Sequence, residues 1–156
     1  MKVRNKIIGV SIAAGLLTLP FLQAGEKRIT RKQLPPGVEQ TVAKQSAGAT
    51  IRGFSTEIDN HKKVYEVELL ANGHEKDISM DEKGSILEVE EEVSLESLPP
   101  SVKSGLTKAA RGAKISKVES LTKHGKLVAY EAVVRAGKKR SEIQVAPGGG
   151  RLAHPE

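Results

Sequence analysis

Leu34-Pro35-Pro36-Gly37-Val38 and Leu98-Pro99-Pro100-Ser101-Val102 are near copies of each other, and their neighbours repeat with them. Lys44, Gly48, Ala49 and Ile51 follow the first; Lys108, Gly112, Ala113 and Ile115 follow the second at the same spacing. Farther on, Tyr65-Glu66, Ile78, Gly84 and Leu87 correspond to Tyr130-Glu131, Ile143, Gly149 and Leu152, with one residue inserted between the two registers. A repeated block of this length implies one supersecondary unit per copy.

Within the first copy, Leu34, Val38 and Val42 form a helical stripe at i, i+4 and i+8. Pro35 and Pro36 suit the entry of a helix, where backbone N–H groups lack partners anyway. Leu34 can staple onto Val38, and Gly48 is a natural residue just past the helix end. Leu98, Val102, Leu106 and Gly112 repeat the scheme. Strand-rich segments follow at residues 50–58 and 114–122. Tyr65, Val67, Leu69 and Ala71 alternate with Glu66 and Glu68, and Tyr130, Ala132 and Val134 with Glu131 and Arg135, the period-two pattern of half-buried strands. Asn72-Gly73 predicts a hairpin. Ile78 with Met80, and Ile143 with Val145, mark further strands; a final stub is expected near residues 151–153.

The fold class read from this pattern is α+β: two tandem α-β-β-β(-β) repeats sharing one antiparallel sheet, with both helices packed on one face. Each unit of about 60 residues would be marginal alone, which favours a shared sheet. Tyr65 and Tyr130 should be the largest core anchors. The other face would carry Glu66, Glu68, Glu131 and Arg135, the expected partner-binding surface.

The chain has 156 residues and a formal net charge of +6. Lys2, Arg4 and Lys6 precede an apolar run over residues 7–22, and Leu22-Gln23-Ala24 offers a cleavage site, so residues 1–24 read as a signal peptide. Pro20 shortens the run below the length of a spanning helix, so no stable membrane anchor is expected after cleavage. The remaining chain would be exported, periplasmic or secreted, with a polar flexible leader over residues 25–33. Without Lys2, Arg4 and Lys6 its charge falls to +3, and only Phe54, Tyr65 and Tyr130 remain as aromatics. That excludes the basic, aromatic-studded face of a nucleic-acid binder. There is no cysteine, so no disulfide and no thiol chemistry.

The Leu-Pro-x-x-Val entry, the short helix, the Tyr-Glu strand and the Asp-x-x-Gly-x-x-Leu turn together resemble PepSY-like domains. Leu34, Pro35, Val38, Tyr65, Glu66, Asp81, Gly84 and Leu87 carry the likeness in residues 34–93. Leu98, Pro99, Val102, Tyr130, Glu131, Gly149 and Leu152 carry it in residues 94–156. Ala146 stands where the first copy has Asp81. The tandem arrangement is similar to the β-lactamase-inhibitor-like proteins of bacterial envelopes. The resemblance implies a non-enzymatic protein-binding module, inhibitory or regulatory toward an envelope or secreted protein such as a peptidase. The alternative is a periplasmic sensor or small-ligand or metal-binding module.

No Gly-x-Ser-x-Gly elbow and no Walker loop occurs, and Gly148-Gly149-Gly150 is not followed by Lys-Ser/Thr. His61, His74, His124 and His154 form no His-x-x-x-His pair. Neither a catalytic site, a cofactor nor a metal is expected. Glu88, Glu90 and Glu92 alternate with Leu87, Val89 and Val93, the pattern of an acidic outer strand face rather than a calcium loop.

Overall fold

The computed structural model describes residues 26–156; the expected signal peptide lies outside them. In chain order come β1 (Lys27–Ile29), α1 (Pro36–Gln45), β2 (Thr50–Asp59), β3 (Lys62–Ala71), β4 (His74–Met80), β5 (Ile86–Glu92), α2 (Pro100–Ala110), β6 (Lys114–Lys123), β7 (Lys126–Ala136) and β8 (Lys139–Val145). A short 3-10 turn precedes each helix, at Arg31–Gln33 and Leu95–Ser97. All eight strands form one antiparallel sheet in the order β1 to β8. Among the described residues no helix is long and apolar enough to cross a membrane.

This corrects the expected architecture. The molecule is not divided into two tandem α-β-β-β(-β) units; it is one eight-stranded meander carrying two helices, broadly α+β but dominated by strand. Residues 93 and 94 lie between the end of β5 and the 3-10 turn before α2, and the sheet runs on past them. Across them, Glu88–Glu92 of β5 pair with Glu119–Lys123 of β6 in uninterrupted register. Nor are the two stretches equivalent, since five strands precede α2 and three follow it. The two extra strands are β1 and β5. Residues expected as a flexible leader instead pair Lys27, Arg28 and Ile29 with Thr56, Ser55 and Phe54. At the other end the expected stub is only a single bridge between Val145 and Arg151.

Register decides which side chains share a face. Tyr65 and Val67 of β3 align with Met80 and Ile78 of β4, and these four build one buried cluster with Leu69, with Val38 and Val42 of α1, and with Phe54. Leu98, Val102 and Leu106 pack with Val118, Ala132 and Val145 in a second cluster, against which Tyr130 rests half-buried. Full burial of each such aliphatic side chain contributes about 1.5–3 kcal/mol. On β5, Ile86 rather than Leu87 packs inward, because the register slips between Ser79 and Met80.

Each helix is held by a backbone-to-backbone contact that only glycine permits. A Cβ on Gly37 of α1 would run into the Lys83 carbonyl, and one on Gly84 into the Gly37 carbonyl. Gly84 also has φ +81°, and Thr41 Oγ1 donates to its carbonyl at 2.8 Å. On α2 a Cβ on Gly105 would run into the Gly149 carbonyl, and one on Gly149 into the Ser101 carbonyl. Asp81 Oδ1 organises the first of these turns by accepting from the Lys83 and Ser85 amides at 2.9 and 2.8 Å. The second turn closes without that carboxylate: the Gly149 amide donates to the Ala146 carbonyl at 2.7 Å.

Candidate functional site: the helix-free sheet face

With the helices on one side, the alternate residues of every strand project from the other. One row across that face reads Gly53, Glu68, Asp77, Glu90, Leu121 and Ala129 from β2 to β7. The next rows hold Ser55, Glu66, Ser79, Glu88 and Lys123 on one side and Glu75, Glu92, Glu119, Glu131 and Gln144 on the other, the latter spanning β4 to β8. Two contacts from outside the strands frame the face. Glu26 borders it near β2, and near β8 the Glu156 amide donates to Gln144 Oε1 at 2.8 Å.

A sheet face without an overlying layer is normally wet. This one is not uniformly so. Leu121 is 3% exposed, Ala129 0%, Val133 5% and Val64 7%. Burial of that degree, with no helix above, requires the strands and their long side chains to fold in around these residues. The face is therefore a trough with an apolar floor.

Its acids fall into two groups. Those with partners lie toward the margins. Arg28 Nη2 meets Glu68 Oε1 at 2.6 Å, lying over Gly53, where a Cβ would collide with the guanidinium. Lys117 bridges Glu75 and Glu119, at 2.8 Å from the latter. Burial works against the Lys117 charge, but its hydrogen bonds to Glu119 and Glu75 outweigh this and raise its pKa. Lys123 lies 3.6 Å from Glu88. Gln144 Nε2 donates to Glu131 at 2.7 Å; burial nonetheless pushes the Glu131 carboxyl up.

Glu66, Asp77 and Glu90 form the second group. They occupy adjacent strands β3, β4 and β5 and have no ion pair among the described residues. Burial, reinforced by neighbouring carboxylates, pushes Glu66 up to about 8 and Asp77 up to about 7. Glu90 is raised for the same reasons, with Glu119 the foremost neighbour.

Beside Glu66 is a notch of about 30 Å³ lined by Glu26, Ser55, Glu57, Val64 and Ser79 among others. Ser55, only 2% exposed, faces this notch. Carboxylate oxygens of Glu26, Glu66 and Glu68 come within 4.8 Å of one another, the one grouping among the described residues with the spacing to hold a metal ion. Arg28 already offsets the charge of Glu68 there.

Of the four residues expected on this face, Glu66, Glu68 and Glu131 line the trough. Arg135 shares the face but stands apart, exposed near the end of β7 and aligned with Lys114 and Arg140. Sequence reading missed Asp77, Glu119 and Ser55 as members. The signal for Asp77 was present, since Ile78 and Met80 pointing inward place Asp77 and Ser79 outward.

No protein-family model matches the chain, and no curated protein matches it. Solved structures do share its fold. A BLIP-like protein from Bacteroides fragilis aligns with a TM-score of 0.58 at 23% identity, over 76% of this chain and 83% of that one. A DUF2874 family protein from Bacteroides ovatus aligns with a TM-score of 0.59 at 21% identity, over 77% and 86%. A Bacteroides eggerthii protein provisionally named periplasmic gives 0.62 at 15% identity, over 76% and 86%. Likeness at these identities is likeness of fold: the chain is folded as BLIP-like and DUF2874 proteins are.

Proposed function

We propose that this chain is an exported, non-enzymatic module that docks a protein on the helix-free face of its sheet, in the periplasm or outside the cell. The observation that carries the reading is the trough itself. Leu121, Ala129, Val133 and Val64 are buried on a face that no helix covers, beneath the half-buried carboxylates of Glu66, Asp77, Glu90 and Glu131 that a partner would meet. A broad, preformed strand surface loses little conformational entropy on association. The sequence supports export through its basic, then apolar, N-terminus. The PepSY-like motif residues and the shared fold of a BLIP-like protein support a binding role, inhibitory or regulatory toward an envelope or secreted protein such as a peptidase.

The test is retention of envelope proteins by the immobilised chain and by two variants. Leu121→Arg fills the trough; Lys44→Glu alters the exposed end of α1 instead. A protein held by the native chain and the Lys44 variant, but lost with Leu121→Arg, is the expected result. Equal retention by all three, or retention by none, contradicts the reading.

A small-ligand reading has one feature in its favour. An open groove of about 370 Å³ lies at the other side of the sheet edge, lined by Lys27, Ile29, Ile58, Lys63 and Tyr65 among others. A thermal-shift screen against metabolites, with Tyr65→Phe and Lys63→Met as controls, addresses it directly.

A further inference from the structure

We propose that the end of the molecule where α2 stops and β7 turns into β8 is a docking surface for an anionic lipid bilayer. The sequence supplies two stretches without an acid, residues 97–118 between Glu96 and Glu119, and residues 132–141 between Glu131 and Glu142. Strand pairing brings their cations together. Lys114 of β6 stands opposite Arg135 of β7, and Arg135 opposite Arg140 of β8, so one row across three strands is wholly basic. Lys139 stands in the next row, opposite Ala136, with Lys138 in the turn itself. Arg111 is the C-cap of α2, three residues before Lys114. All of these but Arg140 are exposed. Among the described residues Arg140 alone of the six meets an acid, Glu142 at 3.4 Å.

Like charges directly opposite one another destabilise a sheet. Elsewhere on this sheet Lys76 faces Glu91, and Lys123 faces Glu88, each as an ion pair across neighbouring strands. Two observations decide what kind of anion the basic row suits. The first is distribution. These six cations exceed the +3 carried by the chain beyond residue 24, so the rest of it, acidic trough included, is net negative. An anionic plane attracts this end and repels the remainder, which fixes an orientation. The second is composition. Among the described residues the exposed large hydrophobic is Ile58, near the β2–β3 turn at the opposite end of the sheet. Residues 97–118 and 132–141 hold no aromatic. A protein interface is anchored by aromatic and aliphatic groups that it buries. A bilayer of anionic lipids needs none, since each Lys or Arg near its surface raises affinity by roughly fivefold.

The experiment is co-sedimentation of the exported protein, collected from the periplasm, with vesicles of phosphatidylglycerol and phosphatidylcholine in equal parts. Binding is expected, weakening steeply as salt rises, and vesicles of phosphatidylcholine alone should retain nothing. Lys114→Gln with Arg135→Gln and Arg140→Gln should bind at least about tenfold more weakly. Lys62→Gln with Lys83→Gln and Lys126→Gln removes the same charge from exposed positions at the opposite end. A strand's length from the bound surface, well beyond the reach of screened charge, it should alter affinity by less than about twofold. Thermal melts of both triple variants check folding, and relieving the like-charge row is not expected to lower stability. Should the first variant melt early, Lys138→Gln with Lys139→Gln, at the hairpin, carries the same expectation at about fivefold or more. No binding to the anionic vesicles, equal binding to neutral ones, or an equal loss with the two triple variants overturns the inference. Binding of hexaglutamate at this end, with vesicles ignored, would assign it to an acidic protein and overturns it too.

Discussion

Glu66 shows how a single position can serve binding at the expense of stability. Its strand alternation sends it outward, but the trough shields it, and Asp77 and Glu68 add repulsion, so its carboxyl titrates near 8. A carboxyl raised in the folded state binds its proton more tightly there than in the unfolded chain. Its penalty is therefore absent below pH of about 4.5 and complete above about 8. Glu66→Gln should stabilise the protein at pH 8 by about 1 kcal/mol or more, allowing for solvent screening, and should have little effect at pH 5. Paired thermal melts at the two pH values check this; a destabilised variant at pH 8 would contradict it. Gly53 works in the opposite sense, since its missing side chain gives Arg28 its place over Glu68.

At the level of elements, the helices are secured less by their own propensity than by where they touch the turns. Gly84 combines a left-handed φ with contact against the Gly37 carbonyl, whereas Gly73, also left-handed, has open space around it. Gly84→Ala should then cost about 2 kcal/mol or more, strain plus overpacking, and Gly73→Ala only about 1 kcal/mol. Urea denaturation of the two variants distinguishes them, and equal losses would refute the clip. The elements themselves were legible in the sequence. The i, i+4, i+8 stripe of Leu34, Val38 and Val42, the Asn72-Gly73 hairpin and the alternation around Tyr65 each signal a local geometry. β1 was not legible. Lys-Arg-Ile is polar and short, and its strand character comes from the edge of β2 that it covers, a long-range partner with no local trace.

The same limit applies to the whole molecule. Duplicated motifs suggested two like units sharing a sheet, but strand pairing is independent of motif, and the sheet is one meander with five strands before α2 and three after it. Sequence alternation also placed Glu66, Glu68 and Glu131 on one face, yet could not reveal how deeply that face buries its side chains, because burial depends on neighbours from several strands together. That burial governs the pH response. Glu66, Asp77, Glu90 and Glu131 are all raised, so stability should fall as pH rises from about 5 to 8, with the melting temperature dropping by about 5 °C or more. Below about pH 4.5 the trend reverses, since Asp81 and the exposed Glu39 and Glu96 have lowered pKa values and lose their contributions there. A melting temperature that climbs steadily from pH 5 to 8 would contradict this picture.

The most direct examination of the docking face is amide chemical-shift mapping of the full chain as a retained envelope partner is added. The account predicts shifts concentrated at Glu66, Asp77, Glu90, Leu121 and Ala129, with Val38, Val42, Val102 and Leu106 of the helices undisturbed. Shifts confined to the helices or to the groove beside Tyr65, leaving those five residues unmoved, would contradict it.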